Sequence, residues 1–222
     1  GLLSPRLAVA HGVWLTDDEC ALLAERGVTV VVNTAANLRL RSGVAPVERF
    51  RRHGVRFAFG LDGTSLDDDQ DAFRDLRLAR LLHQGTGLSP ELETGELFKA
   101  AYDHGFAVIT SERGYGVLAE GSPADLILVD YAALSDDVIA EDIDELTVLL
   151  TRMSSKYLVA AYVAGRLIVR QGKPTDFDYE VARQELVTSA KRTQTALEAD
   201  RPLIRRQTEA IRAYYSSGVG SD

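Results

Sequence analysis

Val55-Arg56-Phe57-Ala58-Phe59-Gly60-Leu61-Asp62-Gly63 brings a β-like run straight to an aspartate. A carboxylate at the C-terminal lip of a buried strand suits metal ligation or proton transfer in a parallel barrel, whose mouth is built from strand ends. Upstream, Val28-Thr29-Val30-Val31-Val32 is a continuous β-branched run, the pattern of a strand buried on both faces. Further upstream, Leu7-Ala8-Val9-Ala10 is a shorter apolar run that ends on His11.

Helices fill the intervals. Asp17-Asp18-Glu19 opens a helix over Cys20 to Glu25, with acids in the first turn to suit the dipole, and Gly27 closes it. Asn37 to Gly43 reads as a polar loop, and Pro46 to His53 as a short helix stopped by Gly54. A long helix, Asp69 to His83, follows Asp62, with Asp67 placed to cap it; Glu96 to His104 is another, ended by Gly105. Strands alternating with helices at this spacing indicate parallel βαβ units. Three such strands close neither an open sheet nor a barrel, so part of the architecture is expected to lie outside this chain.

Beyond Thr110 the character changes. Asp125 to Asp130, Tyr157 to Ala164 and Arg166 to Arg170 read as strands of a small β layer, the last two joined by a tight hairpin at Ala164-Gly165. Tyr179 to Tyr215 reads as a charged helical tail, broken once before Pro202. The expected divisions are 1–110, 111–173 and 174–222.

With 222 residues and 45% hydrophobic content the chain can bury a sizeable core. A net charge of -8 argues against a nucleic-acid backbone or an anionic membrane as partner. The only cysteine, Cys20, rules out an internal disulfide and favours a reducing compartment, hence the cytoplasm. No apolar run reaches membrane-spanning length. The chain opens on Gly1 and its only methionine is Met153, so it is expected to lack its translational start.

A lone histidine after an apolar run is more often a buried side chain satisfied by a carbonyl. Two polar residues at two strand ends, His11 and Asp62, shift the reading to function, since both would project into one mouth. With Asp67 assigned to the helix cap, Asp62 is left without a structural task. Asn33 and Asn37 flank the exit from the central strand, where substrate contacts concentrate, although turn chemistry explains either as well. His53, His83 and His104 read as helix-end residues, and Cys20 as a small core residue.

Four stretches resemble the amidohydrolase superfamily, specifically its cytosine-deaminase and triazine-chlorohydrolase-like branch. They are Ala10-His11-Gly12-Val13 with Leu15 and Asp17-Asp18-Glu19; Asn37-Leu38-Arg39-Leu40-Arg41-Ser42-Gly43-Val44-Ala45-Pro46; Gly60-Leu61-Asp62-Gly63; and Gly116-Val117-Leu118-Ala119-Glu120-Gly121-Ser122-Pro123-Ala124-Asp125-Leu126. The resemblance runs over roughly residues 7 to 172. It implies an α/β fold, the C-terminal part (strands six to eight) of a TIM-type (β/α)8 barrel, with part of a small β-sandwich and a helical C-terminal tail.

It also implies one divalent metal, zinc or iron. Asp62 would be a metal ligand and would take a proton from the attacking water, and His11 would hydrogen-bond the attacking oxygen or the developing tetrahedral centre. Asn33 and Asn37 are the substrate-binding candidates. The implied reaction is deamination or dechlorination of a nitrogen heterocycle, a small-molecule substrate, by an enzyme that is often a homo-oligomer. The family's His-x-His of the first strand, its fifth-strand histidine and the glutamate after it have no counterpart here, which fits a chain that begins at strand six. Such a fragment is expected to be inactive alone, completed by the missing N-terminal part of the barrel. Two alternatives stand: a truncated, non-catalytic homologue serving as a binding module, or a cyclic amidase or peptidase of the same superfamily.

Overall fold

The β-branched run at Val28 to Val32 sits at the centre of a parallel sheet, as its burial pattern requires. In the computed structural model β1 (Ala8–Ala10), β2 (Thr29–Val32) and β3 (Arg56–Phe59) pair in that order, all parallel. The structure describes residues 1–65, 69–86, 92–110, 117–140 and 142–217. Ala10 pairs with Val31 and Val32 with Phe59, so the strands end close to one level.

Helix α1 (Asp17–Glu25) begins with a capping box, Thr16 and Glu19 bonding each other's backbone, and α3 (Val47–His53) ends on Gly54 in the left-handed conformation at φ 71. Val28, Val30, Val32 and Phe57 pack with Cys20, Leu23, Val47 and Phe50 from these helices in one buried cluster. On the other face the period of two puts Thr29, Val31 and the next residue, Asn33, in one row.

Three local expectations are corrected. The polar loop expected at Asn37 begins as a helix, α2 (Thr34–Arg39), whose Ala35 N–H is capped by the carboxylate of Asp75, 40 residues away. Only Leu40 to Pro46 remains a loop, with Arg41 and Gly43 at positive φ. The long helix starts later, as α4 (Ala72–Leu82), because Asp71 Oδ1 accepts from Arg74 N; Asp67 lies outside the described residues. The helix expected to stop at Gly105 continues instead. α5 (Thr94–Lys99) passes through a π turn (Ala100–His104) into α6 (Gly105–Thr110), and His104 Nδ1 donates to the Phe57 carbonyl on β3 at 2.7 Å.

After α6 come β4 (Leu126–Val129), the short helix α7 (Tyr131–Leu134), α8 (Glu145–Arg152), β5 (Leu158–Val163) and β6 (Arg166–Arg170). The three strands are antiparallel. Ala164 and Gly165, at φ 50 and 75, form the hairpin with both central residues left-handed. Leu150 of α8 joins the core of the parallel sheet. The chain divides into two units, Gly1–Gly172 and Lys173–Asp222. The second contains α9 (Tyr179–Leu197) and α10 (Arg201–Ser216), the latter with Pro202 in its first turn.

Candidate active site

Strand register decides which side chains meet. His11 N donates to Val31 O and Gly60 N to Val32 O, which carries both edge strands one residue past the ladder before they turn away. At the turns His11 and Asp62 each take φ 68, the left-handed region. That conformation costs a non-glycine residue on the order of 1 kcal/mol or more, and such strain concentrates at functional sites. The two turns aim the side chains at each other: His11 Nε2 lies 3.7 Å from Asp62 Oδ2. With side chains 41% and 30% exposed, both groups can be reached from solvent. Asp62 Oδ1 is tied down, accepting from Gly63 N at 2.7 Å, and this leaves Oδ2 facing the imidazole.

Behind the ring stand the two asparagines. His11 Nδ1 donates to Asn37 Oδ1 at 2.8 Å, and Asn33 Nδ2 lies 3.4 Å from the same nitrogen. Both amides are buried, at 6% and 2% exposure for Asn33 and Asn37; Asn37 accepts the Nδ1 proton, and the Asn33 carboxamide packs beside the ring as a steric wall. A proton on Nδ1 turns the Nε2 lone pair toward Asp62. The gap between them is thus edged by the second ring nitrogen and a carboxylate oxygen, two groups that a proton donor or a cation placed between them would bridge. All four residues singled out from the sequence therefore meet at one end of the parallel sheet.

The sequence reading missed Gly60. A Cβ there would lie 2.6 Å from Asn33 Oδ1 and 2.9 Å from Val31 Cγ1, so only glycine lets β3 pass beside the asparagine. A glycine just after a strand and before the candidate aspartate was the available signal. The other histidines serve elsewhere. His104 pins the π turn, His53 Nε2 lies 3.5 Å from Asp17, and His83 ends α4 with its proton affinity lowered by burial. Cys20 is buried, and desolvation raises its thiol pKa.

Among the described residues no group of three or more His, Cys, Asp or Glu side chains is gathered to hold a metal. Zinc takes three or four donors, chiefly imidazole nitrogen, thiolate and carboxylate oxygen. Asp62 Oδ2 has that chemistry and borders the gap, so it fits as one ligand of such an ion, with His11 Nε2 beside the position of an oxygen bound there.

The amidohydrolase family matches residues 1–167. A 5-methylthioadenosine/S-adenosylhomocysteine deaminase of Thermococcus sibiricus is 39% identical over 132 residues, 59% of this chain and 31% of the relative. The crystal structure of an adenosine deaminase from Xanthomonas campestris with bound zinc superposes with a TM-score of 0.79 at 28% identity, covering 88% of this chain and 44% of the other. Atrazine chlorohydrolase from Arthrobacter aurescens TC1, complexed with zinc, gives 0.71 at 28% identity, over 85% and 41% of the two chains. The chain thus spans less than half the length of each of these proteins. It belongs to the amidohydrolase family, a TIM-barrel superfamily of whose fold the chain covers part.

Proposed function

We propose that the complete protein is a metal-dependent hydrolase that removes the amino group of a nitrogen heterocycle, with a 6-aminopurine nucleoside of the adenosine class as the preferred substrate. In this reading the present chain contributes barrel strands six to eight, part of a small β-sandwich and a helical tail. The missing N-terminal part of the barrel carries the remaining ligands of one zinc or iron ion. The carrying observation is the opposed His11 Nε2 and Asp62 Oδ2, held in two left-handed turns and backed by two buried amides.

Among this chain's residues Asp62 would hold the metal. When bound, that ion lowers the pKa of a coordinated water to about 7 and polarises the ring at the reacting carbon. Asp62 Oδ2 takes the proton of the attacking water and delivers it to the leaving amine. His11 Nε2 bonds the oxygen that adds to the ring, in the orientation fixed by Asn37. The new C–O bond replaces the C–N bond, and the products are the hydroxylated (oxo) heterocycle and ammonia. Asn33 and Asn37 border the pocket on the β2 side. Deaminase names among the relatives and zinc in the structural neighbours support this choice. The reading goes with a cytoplasmic homo-oligomer, and among the described residues no helix is long and apolar enough to cross a membrane.

The test is ammonia release by the complete, zinc-loaded protein from adenosine, 5'-methylthioadenosine, an aminotriazine and cytosine, with a chlorotriazine and a hydantoin as controls. Release from the adenosines is expected, falling about 10²- to 10⁴-fold in Asp62→Asn, the usual range for removing a proton-transfer group. Ring opening of hydantoin without ammonia release, or no turnover of any compound, would overturn it.

A further inference from the structure

Helix α2 delivers both asparagines to His11, yet its own N-cap is not formed in the usual way. Asn is among the preferred N-cap residues because its side-chain oxygen bonds the N2 or N3 backbone N–H. Asn33 occupies the N-cap position at φ -110 and ψ 81 and makes no such bond. Its amide nitrogen instead reaches His11 Nδ1, and its Oδ1 faces Gly60. The capping task has passed to Asp75. That residue, in the first turn of α4, is 2% exposed, and its Oδ1 accepts from the N2 amide, Ala35 N, at 2.9 Å.

We infer that Asp75 is a positioning residue for the catalytic histidine. By capping α2 from a neighbouring helix it leaves the Asn33 carboxamide packed beside His11, and it fixes the helix start from which Asn37 projects to accept from His11 Nδ1. The inference rests on the reading of His11 and Asp62 as the reacting pair. A buried carboxylate is costly to hold in a protein interior, and it is retained where its bonds accomplish something specific. Here those bonds lead from α4 to α2, from α2 to the imidazole, and from the imidazole to the gap that faces Asp62. Without Asp75 the Ala35 N–H is uncapped, and the Asn33 side-chain oxygen is the acceptor that an N-cap asparagine ordinarily offers it.

Crystal structures and steady-state kinetics of the complete protein test this, comparing wild type, Asp75→Ala and Asp75→Asn. In Asp75→Ala the Asn33 side chain is expected to swing onto the α2 N-terminus and leave His11 Nδ1, with kcat reduced at least about 10-fold and KM within about twofold. Misplacing a reacting group by about 1 Å costs about 10²-fold, which bounds the loss. Asp75→Asn retains an acceptor oxygen and should restore kcat to within about threefold of wild type. A generally loosened fold would not be rescued this way, nor would it spare KM.

Both asparagines remaining on His11 in Asp75→Ala, with kcat within about twofold, would overturn the inference. Should Asp75→Ala fail to fold, Asp75→Ser, too short to reach Ala35 N, carries the same two outcomes. The side-chain positions are read from the crystal whether or not turnover is seen. An inactive wild type therefore refutes the proposed reaction, whereas unmoved asparagines refute the role of Asp75.

Discussion

The parallel strands β1 to β3 and the antiparallel strands β4 to β6 are written in similar residues but buried very differently. Val30 and Val32 in β2 are 0% and 1% exposed, whereas Leu128 in β4 and Val163 in β5 are 47% and 50% exposed. Helices explain the contrast. α1, α3, α4 and α5 all give side chains to the core against β2 and β3, while only Ala160 among the residues of β4 to β6 is fully buried. A parallel sheet is stable only when covered, and the site at its C-terminal edge inherits that rigidity. An antiparallel sheet with apolar residues this exposed fits the proposed reading of β4 to β6 as part of a β-sandwich.

Three experiments break or sharpen this contrast. The largest effect is expected from residues 1–222 produced alone. β1 is an edge strand with an open hydrogen-bonding side, and the antiparallel layer exposes apolar surface, so the product should be insoluble or molten. A cooperative melt of a monomer by calorimetry would show that the described layers suffice. Next come two truncations in the complete protein, read by denaturant unfolding. Phe50→Ala removes a fully buried ring and should cost about 3–5 kcal/mol. Leu128→Ala should cost about 2 kcal/mol, the lower end for a buried leucine, if β4 is covered by a second layer in the complete protein as we propose. A cost under about 1 kcal/mol would leave that sheet single-layered.

The smallest effect concerns His83 at the buried end of α4. Desolvation lowers its folded pKa below the ordinary 6.5, so between the two values the unfolded chain binds a proton that the folded chain does not. Its contribution is undiminished above pH 6.5 and declines as the pH falls through the interval below it. The melting temperature of wild type should therefore fall more steeply on acidification than that of His83→Gln. Equal slopes would show that the imidazole is not held neutral by burial.

Much of the site was legible before any coordinates. Asp62 and His11 each end a recognisable strand, and strands in parallel βαβ units end on one side, so their convergence follows from periodicity alone. Asn33 and Asn37 were legible as residues at the exit of β2, but their role behind His11 was not. That role depends on α2, which propensity did not reveal because its cap comes from Asp75, 40 residues along the chain. A distant bond also accompanies the helix through Gly105, where His104 reaches β3, whereas the later start of α4 comes from a local cap, Asp71, that competed in sequence with Asp67. The need for Gly60 likewise appears only when Asn33 is seen against it.

Local composition and period were enough to determine the parallel βαβ pattern, the buried central strand and the two polar residues at strand ends, because these depend on neighbours a few positions apart. Tertiary contact alone decided the tautomer-setting bond of His11, the 3.7 Å approach of Asp62 and the transfer of the α2 cap to Asp75. Each joins groups 26 or more residues apart in sequence, and side-chain hydrogen bonds at that separation exist only once the core has fixed where the backbone runs.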